Sequence, residues 1–424
     1  MNRPAPRCHS VRPCNRGMTL IEILVGLAIA LVAALIVFQV FAVSDQRNRS
    51  TASGSDAQVA GALALFQLER DIKMAGFGFG MLPRAGGDPG GVGGCKVAAH
   101  NRELAAPDFT FPLAPVSITQ GTDALGVVDG SPDQIAVLYG NSAYYVTSRK
   151  FHNGTSPGDD ANKKLIRRDA FQMGDVVLVT NNGTNAAAGI CALVEITNKP
   201  NIDLETVEHV QDAVYASFYG GNPTAKMNAT AGAATFVAGA GIAYNLGPRP
   251  SRNVWRVTAA GAADPNMLVW RNSLQSDAWQ QVSEGIVNLK AEYGVDDGGG
   301  AAGGAAVPPA VAKDGIISPT EWTSTAPADP TRLLAVRFAV LARSPQYEKT
   351  AVTTALPFWA NDPGPLASRT ANDGAAHKFT LFNVDGTADN APGNANDWRH
   401  YRYRVYEATV PLRNLLWGSL PPPP

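Results

Sequence analysis

From Ile23 to Val43 the chain is apolar, with only Gly26 and Gln39 departing from hydrocarbon, and one carboxylate, Glu22, stands at its head. A run of ~21 residues crosses the ~30 Å apolar layer of a bilayer when coiled as helix. In that layer only helices and closed barrels satisfy their backbone groups. A membrane-spanning helix is therefore the first element the chain must form. Glu22 is out of place there, between Ile21, Ile23, Leu24 and Val25. An ionisable side chain in a span is costly enough to mark function by default. Glu22 needs a partner.

The residues in front of the run supply one. Residues 1–17 carry Arg3, Arg7, Arg12 and Arg16 and no acid, which holds that end on the cytoplasmic side. A cut after the small Gly17 frees the ammonium of Met18, four residues before Glu22. Within one helix, residues so spaced share a face. In a bundle, the carboxylate reaches the terminus of a neighbouring subunit equally well. Two plainer readings compete: a secretory signal and a simple anchor with an accidental Glu. A secretory signal has a shorter apolar region and a small-x-small cut site behind it, and Phe41-Ala42-Val43-Ser44-Asp45 is a poor one.

Helical periodicity continues past the run in a different style. Val59, Leu63 and Phe66 recur at helical spacing, with Leu65, Leu68 and Ile72 beside them. Gln58, Gln67, Glu69, Arg70 and Lys73 take the other side. That predicts an amphipathic stripe packed on a globular body. Gly76, Gly78 and Gly80 end the helix, since Gly accepts the positive φ of a helix stop. Their Gly-x-Gly-x-Gly spacing is no phosphate loop, because it follows a helix instead of opening one. The expected organisation is a leader over 1–17, a helix over 18–76 (hydrophobic 18–43, amphipathic 50–76) and a body over 77–424.

The body reads as strands. Asp133–Tyr139, Ala143–Thr147, Asp175–Thr180 and Ile190–Thr197 are short and β-branched or aromatic. Asn253–Thr258 and Met267–Trp270 suggest a hairpin pair. Val287, Leu289, Ala291, Tyr293 and Val295 should face inward, with Asn288, Lys290 and Glu292 outward. Leu333–Ser344 is apolar on both faces and should be a central strand. Tyr401–Pro411 alternates. Segments 298–309, 228–241 and 360–376, rich in small residues, read as mobile loop insertions. The fold class is α+β: one long helix on a mainly antiparallel β-sheet body.

Net charge of −1 argues against a nucleic-acid footprint. The six histidines are scattered, and no Gly-x-Ser-x-Gly elbow or Walker loop occurs. No enzyme activity is assigned. Asn153, Asn182 and Asn228 begin glycan-acceptor patterns of a kind that Gly/Asn/Thr-rich turns produce by chance. Cys8 and Cys14 leave with the leader. Cys95 and Cys191 remain as an even pair, and a disulfide between them in an oxidising compartment is favoured over two separate buried thiols. Asp296, Asp297 and Asp314 lie near Gly298 and Gly315, and the spacing is not an EF-hand loop. A solvated turn is favoured there over a calcium site, and no other cofactor is expected.

Arg16-Gly17-Met18-Thr19-Leu20-Ile21-Glu22 with its apolar helix resembles the type IV prepilin leader. The resemblance implies that a prepilin peptidase cuts after Gly17 and methylates the amino terminus of Met18, and that Glu22 is the assembly carboxylate. Phe66–Gly80, Val282–Asp296, Leu333–Ser344 and Tyr401–Asn414 are similar to blocks of PilW-type minor pilins. That implies a subunit which helps initiate type IV pilus assembly, and through it adhesion and twitching motility. Its partners would be other minor pilins, the major pilin and a large tip adhesin. It would sit in the inner membrane with its body in the periplasm, then in the filament. Helix and strand style are also similar to the J-class pseudopilin of type II secretion. A membrane-anchored enzyme or sugar-binding module is the third reading.

Overall fold

The apolar run folds as the first part of one α-helix, α1, Leu20–Met74. The computed structural model describes residues 18–79, 95–121, 131–143, 148–150, 162–167, 169, 171–181, 190–198, 205–229, 241–259, 265–298, 313–318, 321–327, 332–359, 379, 381, 383–384 and 396–415. Two compact units divide the chain at Ser53/Gly54. In the first, Leu20–Asp45 is long and apolar enough to cross a membrane, and none of it is buried within the protein. A helix that is apolar all round finds its solvent in lipid. The leader and Gly17 lie outside the described residues.

The second unit begins with the back part of α1. Its buried face is Ala57, Gly61, Ala64, Leu68, Asp71, Ile72 and Ala75, with Leu65 half-buried. Of the expected stripe, Leu68 and Ile72 are buried and Leu65 is half-buried, whereas Val59, Leu63 and Phe66 are exposed by 65%, 41% and 59%, so the assignment is corrected at those three. The physical reason is close approach. A Cβ on Gly61 would overlap the ring of Tyr406, so the inward positions 57, 61 and 64 are filled by small residues. A rule that follows large apolar side chains finds Leu68 and Ile72 but misses the small residues at 57, 61 and 64.

Overpacking costs about 1–3 kcal/mol and the helix gain of Gly→Ala is about 1 kcal/mol. Gly61→Ala should therefore destabilise the body by roughly 1 kcal/mol. In a Tyr406→Ala background the same change should stabilise it. Chemical unfolding of the four chains measures both signs, and a Gly61→Ala effect of equal sign in the two backgrounds contradicts the close contact.

Seventeen strands follow among the described residues. They are β1 Lys96–His100, β2 Asp108–Pro112, β3 Val116–Thr119, β4 Gln134–Tyr139, β5 Arg149–Lys150 and β6 Asn162–Lys164. Next come β7 Val176–Asn181, β8 Ile190–Glu195, β9 Thr206–Glu208, β10 Gly241–Gly247, β11 Ser251–Val257 and β12 Met267–Asn272. The last are β13 Gln280–Glu284, β14 Ile286–Val295, β15 Trp322–Thr323, β16 Leu333–Arg343 and β17 Tyr403–Pro411. They form sheets in the orders β2-β1-β8-β7-β10-β5, β13-β12-β11-β4-β3, β15-β14-β16-β17 and β6-β9. Pairing is antiparallel except between β1 and β8. The fold is α+β, as expected.

Strand β16 lies between β14 and β17 and is buried on both faces, as apolar residues at successive positions on either side of Arg337 require. The β11–β12 pair is antiparallel, with Trp255 opposite Trp270. Ala64, Leu68 and Ile72 of α1 join Trp255, Leu289, Tyr293 and Phe338 in one core. Two details of β14 differ from expectation. A register shift between Ile286 and Asn288 brings Ile286 into that core and packs Val287 against a different cluster. Lys290 and Glu292 are buried instead of facing water. Lys290 Nζ pairs with Asp133 at 3.1 Å, and Arg337 Nε donates to Glu292 at 2.6 Å.

The insertions divide likewise. Asn228 is buried, its side chain bonded to the Glu195 backbone, and Gly241 opens β10. Both ends of that segment are thus fixed, against the expectation of a mobile insertion. Residues 230–240, 299–312 and 360–376 lie outside the described residues, as do 144–147 of the expected Ala143–Thr147 strand.

Candidate functional site

Helix α1 begins where Thr19 can cap it. The Thr19 carbonyl accepts the amides of Glu22 and Ile23 at 3.1 and 3.3 Å. Glu22 reaches back in turn. Its Oε2 accepts the Thr19 backbone N–H at 2.9 Å and the Thr19 hydroxyl at 3.0 Å. This is the carboxylate half of a capping box, satisfying an amide that the helix itself leaves open. A carboxylate in the first turn also faces the positive end of the helix dipole. Met18 and Glu22 are both exposed. Thr19 is thus a partner of Glu22 besides any freed amine, and Thr-x-x-Glu before an apolar run is its signal in the sequence. In the uncut chain Glu22 therefore already holds two donors.

The second constellation was not anticipated. Asp71 is buried on the inward face of α1. Its Oδ1 accepts the Tyr139 hydroxyl at 2.8 Å and Asn253 Nδ2 at 2.8 Å. Its Oδ2 accepts Trp255 Nε1 at 2.6 Å. Tyr139 comes from β4, and Asn253 and Trp255 from β11, so one side chain ties the helix to two neighbouring strands. Burial pushes the Asp71 carboxyl above its ordinary range, against the pull of those three hydrogen bonds and of Arg70. The signal in the sequence was one acid between Leu68 and Ile72 on the inward face, obscured because Val59, Leu63 and Phe66 drew that face to the other side.

Cys95 and Cys191 form a disulfide, with Cα atoms 6.0 Å apart. It ties the residue before β1 to β8, beside the parallel pairing of Val97 with Cys191. Asp296 and Asp297 are buried, which corrects the solvated-turn reading for that pair, while Asp314 is exposed as expected. Asp296 accepts the amides of Gly298, Asp314 and Gly315 at 3.1, 3.2 and 2.8 Å. The Asp297 amide donates to Glu321 Oε1 at 2.9 Å. Asp314 accepts from Ile316 at 2.8 Å. The carboxylates of Asp296 and Asp314 thus meet backbone donors, while Asp297 meets Glu321 through its amide, and among the described residues no group of three or more His, Cys, Asp or Glu is placed to hold a metal ion. His100 meets Asp108 at 2.7 Å and His400 the Glu348 carbonyl at 2.6 Å.

Two family models match the chain. The prokaryotic N-terminal methylation motif covers residues 12–38, which include Gly17, Met18 and Glu22. The model for type IV pilus-assembly protein W covers residues 254–414, from within β11 to beyond β17. Three of the four blocks noted in the sequence lie inside the second match, while Phe66–Gly80 lies outside both. No curated protein and no solved structure matches the chain.

Proposed function

We propose that this chain, a PilW-type pilin by its two matched segments, is a minor subunit that helps initiate type IV pilus assembly in a tip complex with other minor pilins. The observation that carries this reading is Glu22, an acid held in the first turn of an apolar span inside the methylation motif. A plain anchor has no use for that acid. After a cut behind Gly17, the Met18 ammonium of the same or a neighbouring subunit competes with Thr19 for the carboxylate. A bond between two opposite charges outweighs one from a neutral donor to the same carboxylate, so proteolysis converts a helix cap into a docking group. The pilus-assembly match favours the pilus over the secretion pseudopilus.

The subunit starts in the inner membrane with its body in the periplasm, an oxidising compartment that suits the Cys95–Cys191 disulfide. The 371 residues of the second unit, Gly54–Pro424, make a bulky head, easier to place at a filament end than to repeat along a shaft. Membrane co-purification should recover the other minor pilins with the tagged chain, and its failure under conditions that preserve their own complex argues against the tip role. Processing depends on a small residue before the cut. Gly17→Ala should be cleaved far better than Gly17→Glu, read by the mobility and amino-terminal sequence of the mature chain. Equal cleavage of both contradicts the role of Gly17.

A further inference from the structure

A cleft of about 470 Å³ opens beside β7 and β8, lined by Tyr215, Tyr219, Glu103, Lys226, Arg249 and Gln275 among others. Its residues run from 101 to 275, almost all in the stretch between the two family matches. The two tyrosines are held from beneath. The Tyr215 hydroxyl donates to Glu195, whose Oε2 accepts the amides of Lys226 and Met227 at 2.7 and 3.0 Å. The Tyr219 hydroxyl donates to Asp175 at 2.6 Å. Asp175 also accepts Asn245 Nδ2 at 2.7 Å and the Gln172 amide at 2.8 Å. The Tyr219 backbone is pinned by Ser217 Oγ at 3.1 Å in a turn that closes through Gly220 and Gly221, both at positive φ. Tyr219 is nonetheless 43% exposed. An aromatic side chain is thus fixed at its polar tip while its body stays accessible.

The charges of the residues lining the cleft cancel. Glu103 and Glu195 oppose Lys226 and Arg249, and Lys226 Nζ lies 2.7 Å from Glu103 Oε2. Cations find the Glu195 carboxylate already filled by three donors. Anions meet as many acids as bases. A wholly apolar ligand would strand the Glu103–Lys226 pair and Gln275. What remains is a neutral ligand with one apolar face and a ring of hydroxyls, in a cleft of ordinary ligand size. We propose that this cleft binds the neutral pyranose rings of a saccharide, Tyr219 meeting the C–H face and the Glu103–Lys226 pair with Arg249 and Gln275 meeting the hydroxyls. The proposal does not depend on the assembly role, since it rests on the body alone.

The full-length chain, kept in a detergent without sugar head groups, is probed by saturation-transfer NMR with the methyl glycosides of glucose, galactose, mannose and N-acetylglucosamine. Their disaccharides form a second arm, and tighter binding there marks a polysaccharide as the source instead of a free sugar. At least one glycoside should bind saturably at millimolar concentration. Tyr219→Ala should weaken it roughly fivefold to tenfold. Tyr219→Phe, which keeps the ring, should bind nearly as the parent does. Arg249→Ala changes an exposed side chain and should weaken binding without altering the thermal midpoint. Absence of binding across the panel overturns the proposal. So does displacement of a bound glycoside by inorganic phosphate, or full retention of binding in both Tyr219→Ala and Arg249→Ala.

Discussion

Glu22→Ala is expected to leave the chain inserted in the membrane and to lower its recovery in sheared filaments by about ten- to a hundredfold, the factor a charge-assisted bond contributes to an equilibrium. Insertion depends on the apolar length of Leu20–Asp45, and removing a charge from that segment does not hinder it. Docking loses its only acid in the first turn of α1. Glu22→Gln keeps the size and the ability to accept from Thr19 but not the charge, so it separates the cap from the assembly group. It should insert and cap normally and still assemble poorly. Thr19→Val removes one of the two donors to Glu22 Oε2 while the backbone donor stays, and a much smaller loss is expected. Quantitative blotting of membrane and filament fractions measures all three. Filament recovery of Glu22→Gln equal to the parent's would show that the carboxylate only caps the helix.

The span, its acid and the central strand were legible because each is governed by local chemistry. Apolar length sets a membrane helix, and a strand apolar on both faces such as Leu333–Arg343, broken only by Arg337, is expected between two neighbours. The pairing of Cys95 with Cys191 was one of two open readings until β1 was placed beside β8. The errors share one cause, which is that burial is decided by what lies across from a residue. Lys290 and Glu292 read as outward polar positions, but Asp133 and Arg337 meet them inside. Val59 and Phe66 read as core, but Gly61 let Tyr406 claim the opposite side of the helix. The cleft was illegible for the same reason. Glu103, Glu195, Tyr219 and Gln275 are far apart in the chain, and no spacing rule joins them.

Asp71→Ala should cost the body about 3 kcal/mol or more, because it takes a shared acceptor from three donors at once. Trp255 and Asn253 are buried beside Asp71, which is only 7% exposed, and Asn253 keeps the Tyr139 hydroxyl at 3.0 Å as a second partner. Asp71→Asn removes the buried charge, yet its amide nitrogen is a donor facing donors, so it should also be destabilising, by a smaller amount. The two variants differ further in their response to pH. Burial raises the Asp71 carboxyl above its ordinary range, so the folded protein holds that proton more tightly than the unfolded chain. The stabilisation from this group is complete below the ordinary carboxylate range and is lost as pH climbs through the raised folded value. The Asp71→Asn chain has no such titration. The margin of the parent over Asp71→Asn should therefore be widest near about pH 4 and narrow toward about pH 8. Urea unfolding of the parent and both variants at the two pH values tests the argument. A margin that widens with rising pH would mean that the ionised carboxylate is the form the three donors prefer. An Asp71→Ala chain as stable as the parent would mean that the helix is held to β4 and β11 by apolar packing alone.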